Sequence, residues 1–158
     1  MINSINTSSA ADLAARLVAA SGDAIIVADA AGRIVLWNSG AEATFGYSVA
    51  EAVGQTLDII IPERLRARHW EGYQRTMMTG VTRYAKELLA VPGQRRDGTR
   101  VSLEFRVALL PGPDGRPEAI AAILRDVTER WEADRALRTE LAQLRALAEM
   151  SNSERQAQ

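Results

Sequence analysis

The chain has 158 residues and a formal charge of −1, with 47% hydrophobic and 25% charged residues, the balance of a soluble globular domain with appendages. It has no cysteine and one histidine, which excludes disulfides, thiolate metal sites, cysteine nucleophiles and zinc sites built from several imidazoles. The near-neutral charge gives no general affinity for nucleic acid or an anionic membrane. No run approaches the ~20 apolar residues that span a bilayer, and the N-terminus lacks the basic start and apolar run of a secretory signal, so a cytoplasmic location is expected.

Residues 1–8 are polar and expected to be loose. Leu13 and Leu17 stand four apart among alanines, the spacing of a short amphipathic helix ending near Ser21-Gly22. Two β-rich runs follow, 24–28 and 33–37, and the Asp-Ala-Ala-Gly between them predicts a hairpin. Two short helices are announced by capping boxes, Ser39 with Glu42 and Ser48 with Glu51, and Gly46 and Gly54 stand where helix stops belong. Pro62 suits the first turn of a longer helix that runs to about Gly80.

Three strands complete the pattern. The first lies within 86–94, interrupted by Pro92-Gly93, and Asp97-Gly98 supplies the positive φ angles of a two-residue hairpin turn. Val101, Leu103, Phe105, Val107 and Leu109 alternate with Ser102, Glu104 and Arg106, so this strand has one buried face. A loop rich in Pro and Gly leads to the last strand at 119–124. Beyond it comes a helix-forming stretch without Gly or Pro, in which Leu137, Leu141, Leu144 and Ala148 repeat at coiled-coil spacing. From Ser151 onward the chain is expected to fray.

This order of elements resembles a PAS domain. So do four local motifs: Gly32-Arg33-Ile34-Val35 leading to Trp37-Asn38, Phe45-Gly46-Tyr47, Arg96-Asp97-Gly98-Thr99, and Arg125-Asp126-Val127-Thr128. The resemblance implies an α+β fold, a five-stranded antiparallel sheet with helices on one face, plus an N-terminal helix and a C-terminal exit or coiled-coil helix. The chain then divides into an N-terminal segment and helix (1–21), the PAS sensor domain (22–128), a signalling helix (129–150) and a frayed tail (151–158). Asp126 and Thr128 can cap the helix that leaves the sheet. A strand joined directly to a helix passes a small change in the sheet to whatever the helix touches.

The single histidine, His69, falls on the apolar stripe of the long helix, with Leu65, Tyr73 and Met77 at helical spacings of four. The stretch from His69 to Arg95-Arg96-Asp97-Gly98 is similar, without a gap, to haem-binding PAS sensors of the rhizobial oxygen-sensor (FixL) type. That resemblance implies haem b with His69 as the axial iron ligand. It places the propionate-contacting cations at Arg75 and Arg83, and the distal wall at Leu89, Phe105 and Val107 with Tyr84 nearby. The chain departs from the oxygen sensors at Leu89, where they carry an arginine that donates to bound oxygen. It also departs from the phosphodiesterase sensors at Glu87, where they use a methionine. An open, apolar distal side follows, better suited to carbon monoxide, nitric oxide or redox sensing than to oxygen.

Two readings stand side by side. One is a haem-based sensor of a diatomic gas or redox state. The other is a cofactor-free PAS module that dimerises or docks a partner, with a small metabolite in its pocket. Without cysteine a flavin adduct is excluded. No catalytic constellation stands out, so the chain is not read as an enzyme. The Leu137, Leu141, Leu144 and Ala148 stripe is expected to pair with a second copy or to fold back onto its own sheet, with a homodimer favoured. Output is expected through an effector in trans.

Overall fold

The computed structural model describes residues 9–82 and 89–156, with the backbone alone for Leu89 and for 151–156. It divides into two compact units, Met1–Asp126 and Val127–Gln158.

In the first unit, helix α1 (Ala10–Ala20) opens on Ser9, whose side chain accepts from the Asp12 amide. Strands β1 (Ala24–Asp29) and β2 (Ile34–Trp37) are followed by helices α2 (Ser39–Phe45) and α3 (Val49–Ala52), a 3-10 turn (Leu57–Ile59) and helix α4 (Glu63–Thr79). Strands β3 (Leu89–Gln94), β4 (Arg100–Pro111) and β5 (Pro117–Asp126) complete a five-stranded antiparallel sheet in the order β2-β1-β5-β4-β3.

Alternation decides which face is covered. Ala24, Ile26 and Ala28 of β1 are buried, as are Val101 and Leu103 of β4 and Ile120 and Leu124 of β5. Phe45, Ala41 and Ala52 from α2 and α3 join Ile26, Ile34, Trp37, Val101 and Leu103 in the main core. Tyr73 of α4 joins Ala28 and Ile120 in a second cluster, with Leu57, Trp70, Met77, Val107 and Leu109 around it. The five-stranded sheet with helices packed on it is the architecture expected from the sequence.

Three local details differ from the sequence expectations. The cap of α2 is Asn38, not Ser39: Asn38 Oδ1 accepts from Ala41 N at 2.9 Å and from Ile25 N at 2.8 Å. Ser39 donates instead to the Ala19 carbonyl, and Glu42 accepts from Val49 N at the start of α3. Asn wins because its amide both accepts and donates, reaching Val18 O and Asp23 O through Nδ2. The Ser48–Glu51 capping box forms as expected.

Pro92-Gly93 does not interrupt β3. It is an edge strand, where a missing N–H is tolerated, and Pro92 and Gly93 stay in register with Ser102 and Val101.

The Asp97-Gly98 turn is a three-residue loop. Arg95 N donates to Thr99 O, Gly98 N donates to Arg95 O, and Gly98 alone has positive φ, at 83°. This is a type I turn closed by a left-handed glycine, which suits the twist of the flanking strands. The same pattern recurs at Asp29–Arg33 with Gly32 and at Gly112–Arg116 with Gly115.

The second unit is one helix, α5 (Thr128–Gln156). Its helical backbone continues past Met150 to Gln156, and residues 151–156 contain neither Gly nor Pro.

Candidate functional site

Helix α4 carries the site. Pro62 precedes its first residue and Gly80 ends it in the left-handed conformation. One stripe of this helix is turned inward: Tyr73 is buried, and Leu65, His69 and Met77 are half-buried.

Three aromatic rings meet on that stripe. The imidazole of His69 lies edge-on to Trp70, with centroids 5.0 Å apart and planes at 78°. It lies 5.8 Å from the ring of Tyr73, and Trp70 and Tyr73 are themselves 5.5 Å apart. Tyr73 donates through its hydroxyl to Asp29 O at 2.6 Å, with Ala28 O at 3.3 Å. Trp70 Nε1 donates to Asp58 Oδ1 at 2.9 Å. The neighbouring Arg66 donates to the carbonyls of Ile61 and Asp58, both at 3.1 Å.

The imidazole sits in unusual company for a histidine. Its Nδ1 is buried and has no hydrogen-bond partner among the described residues. Burial holds its pKa below the ordinary value of 6.5, partly opposed by the negative charge of Asp58, so the ring is neutral at physiological pH. Burial also pushes the Tyr73 hydroxyl up to about 12, with Asp29 adding to the shift.

The remaining sequence-predicted residues fall in different places. Arg75 is exposed and pairs with Glu71 at 2.8 Å. Six residues beyond His69, it projects about 120° around the helix from it. Phe105 and Val107 are half-buried on the covered face of β4, Phe105 against the main core and Val107 against the Tyr73 cluster. Leu89 opens β3 in register with Phe105. Arg83, Tyr84 and Glu87 lie outside the described residues. Asp126 accepts from Arg95 Nη2 at 2.7 Å, and Thr128 is the first residue of α5. Leu137, Leu141, Leu144 and Ala148 are exposed along α5.

A separate cleft of about 500 Å³ is lined by residues 43–46 and 95–97. None of them is on α4, and both its arginines are engaged: Arg95 with Thr44 O and Asp126, Arg96 with Glu51.

Neither Trp70 nor Asp58 belongs to a motif that marks it as a site residue. Their link joins residues twelve apart across the 3-10 turn, a contact that no helical or strand periodicity encodes.

Comparison with known proteins settles the family. The chain matches the family described as PAS fold over residues 18–132. It belongs to the PAS family. This PAS domain is 32% identical over 137 residues to the sensor protein FixL of Bradyrhizobium diazoefficiens, a match that covers 83% of the chain. It spans 16% and 27% of the lengths of the curated relatives it matches. Among solved structures it is similar to a PAS domain from Colwellia psychrerythraea, with a TM-score of 0.67 and 22% identity, covering 77% of this chain and 99% of that one. It also resembles an RNA-binding light-oxygen-voltage receptor, with a TM-score of 0.67 and 22% identity over 90% of this chain and 40% of that one. At these identities the two structures bear on the fold alone. No described helix is long and apolar enough to cross a membrane.

Proposed function

We propose that this PAS sensory domain holds haem b through His69 and reports a diatomic gas or a redox state through its C-terminal helix. The observation that carries the reading is the state of the imidazole: neutral, half-buried, with Nδ1 buried and unpartnered among the described residues. A neutral imidazole is the donor that haem iron takes in gas sensors. The similarity to FixL over most of the chain supports the same reading.

When bound, haem would supply an iron that takes a diatomic gas or changes redox state. His69 would hold the iron, and Phe105 and Val107 would supply apolar wall. Arg75 would reach a propionate by exchanging its exposed pairing with Glu71. Leu89 offers no hydrogen-bond donor where the resemblance implies an arginine in oxygen sensors. A hydrogen bond to a charged group contributes about 1.5–3 kcal/mol, so carbon monoxide or nitric oxide fits this chain better than oxygen. The role is binding and relay without catalysis, in the cytoplasm, with output to an effector in trans. The exposed leucines of α5 would pair with a second copy, making the sensor a homodimer.

The test is the visible spectrum of protein expressed with haem supplementation. A Soret band in the wild type that disappears in His69→Ala is expected. A band unchanged in His69→Ala would remove the ligand assignment.

A second reading rests on the rings of Trp70 and Tyr73, which pack closely beside His69. They favour a cofactor-free interaction module, and a colourless wild-type protein after haem supplementation would establish it.

A further inference from the structure

We infer that Trp70 is the positioning residue for His69: its indole, anchored by Asp58 and Gly32, sets the plane of the imidazole. This role deepens the reading of His69 as the ligand-facing residue and rests on it for its functional meaning.

Rotation about the bond to an imidazole ring is broad and only weakly staggered, so the ring plane must be set by hydrogen bonds or by neighbours. Among the described residues Nδ1 has no hydrogen-bond partner. Neighbouring rings are left to do it, and Trp70 is the nearer, meeting the imidazole edge-on at 5.0 Å in the arrangement aromatic quadrupoles favour.

A ring can define its neighbour's plane only if it is itself held. Trp70 is held on two sides. Its Nε1 donates to Asp58 Oδ1 at 2.9 Å. Its six-membered ring lies so close over Gly32 that a Cβ there would come within 2.2 Å of it. Asp58 in turn is fixed: Thr56 Oγ1 donates to Oδ2 at 3.2 Å, and Arg66 donates to the Asp58 carbonyl at 3.1 Å. The chain of contacts runs from the β1–β2 loop and the 3-10 turn, through one indole, to the imidazole.

Proton NMR of the haem-free protein tests this. With one histidine in the chain, the imidazole ring protons need no assignment among rivals. Cross-relaxation between the Trp70 and His69 rings is expected in the wild type. It is expected to be lost in Asp58→Ala and kept in Asp58→Asn, which retains an oxygen acceptor. Both variants lack the charge, so a difference between them isolates the hydrogen bond. Equal cross-relaxation in the two would overturn the proposal. If Asp58→Ala loses its far-UV circular dichroism, Trp70→Phe takes its place. It keeps a ring and removes the donor, and a residue-70 ring still fixed against the imidazole would overturn the proposal equally. Because no haem is present, these outcomes are independent of the Soret band that tests the proposed function.

Discussion

The Tyr73 hydroxyl donates to the Asp29 carbonyl at 2.6 Å, tying the middle of α4 to the end of β1. The two residues are 44 apart in sequence, and the bond lies beside a buried ring. Removing the hydroxyl while keeping the ring isolates its contribution. Tyr73→Phe is expected to lower unfolding free energy by about 0.5–1.5 kcal/mol, and Tyr73→Ala by about 3–5 kcal/mol because the ring leaves a cavity. Urea denaturation of the three proteins measures both. Equal losses in the two variants would mean that the ring does not pack as described.

Asn38 is buried and makes contacts in four directions, to Ala41 N, Ile25 N, Val18 O and Asp23 O. Asn38→Ala removes a helix cap and strands buried backbone groups, and is expected to cost about 2–4 kcal/mol. Ser39→Ala is expected to change stability far less, since the exposed Ser39 hydroxyl makes one bond among the described residues, to Ala19 O. Thermal melts of the two variants decide which residue is the cap.

Arg125 donates to both carboxylate oxygens of Asp23, at 3.0 and 2.8 Å, and these bonds hold the acid below its ordinary value of 3.8. Folding therefore favours the ionised form. The stabilisation it brings is present above the ordinary value and fades as pH falls through the lower folded value. Carbon-13 titration of the Asp23 carboxyl should give a midpoint below 3.8 in the wild type. In Arg125→Ala that midpoint should rise. An unchanged midpoint would show that the pair is not formed in solution.

Two helical glycines should respond in opposite directions to alanine. At Gly72, inside α4, a Cβ would meet nothing within 4 Å, so Gly72→Ala should stabilise the domain by about 0.5–1 kcal/mol through helix propensity. At Gly40 a Cβ would come within 2.3 Å of the Asp23 carbonyl oxygen, and Gly40→Ala should destabilise by about 1–3 kcal/mol through overpacking. Calorimetric melting temperatures of the pair test both signs at once.

Leu141 and Leu144 are 46% and 56% exposed on α5. If they pair with a second copy, Leu141→Asp with Leu144→Asp should convert a dimer to a monomer in light scattering, while the circular dichroism of the sheet domain stays unchanged. A wild-type chain that is monomeric at high concentration would remove this role from the stripe.

Much of the fold was legible because β4 alternates cleanly from Val101 to Leu109 and because glycines punctuate the hairpins. The inward position of His69 was legible from its spacing to Leu65 and Tyr73 for the same reason. The misses have a shared physical origin. Asn38 and Ser39 are both good caps, and what separates them is contact with Val18 and Ile25, which local sequence does not show. Asp-Gly occurs in two-residue and three-residue loops alike, and only the pairing of Arg95 with Thr99 tells them apart. The Trp70–Asp58 bond depends on how the 3-10 turn folds against α4, and the side of α4 taken by Arg75 follows from helical geometry once His69 is placed.

The three glycine-closed loops have a consequence for how the molecule assembles. They join β1 to β2, β3 to β4 and β4 to β5, so three of the four strand pairings are zipped by near neighbours, each with its alignment preset. The fourth, β1 against β5, matches Ala24 with Leu124 and must close nearly the whole domain into a ring. Such a closure carries the largest entropic penalty. The speed of folding should therefore respond most to changes along that one seam.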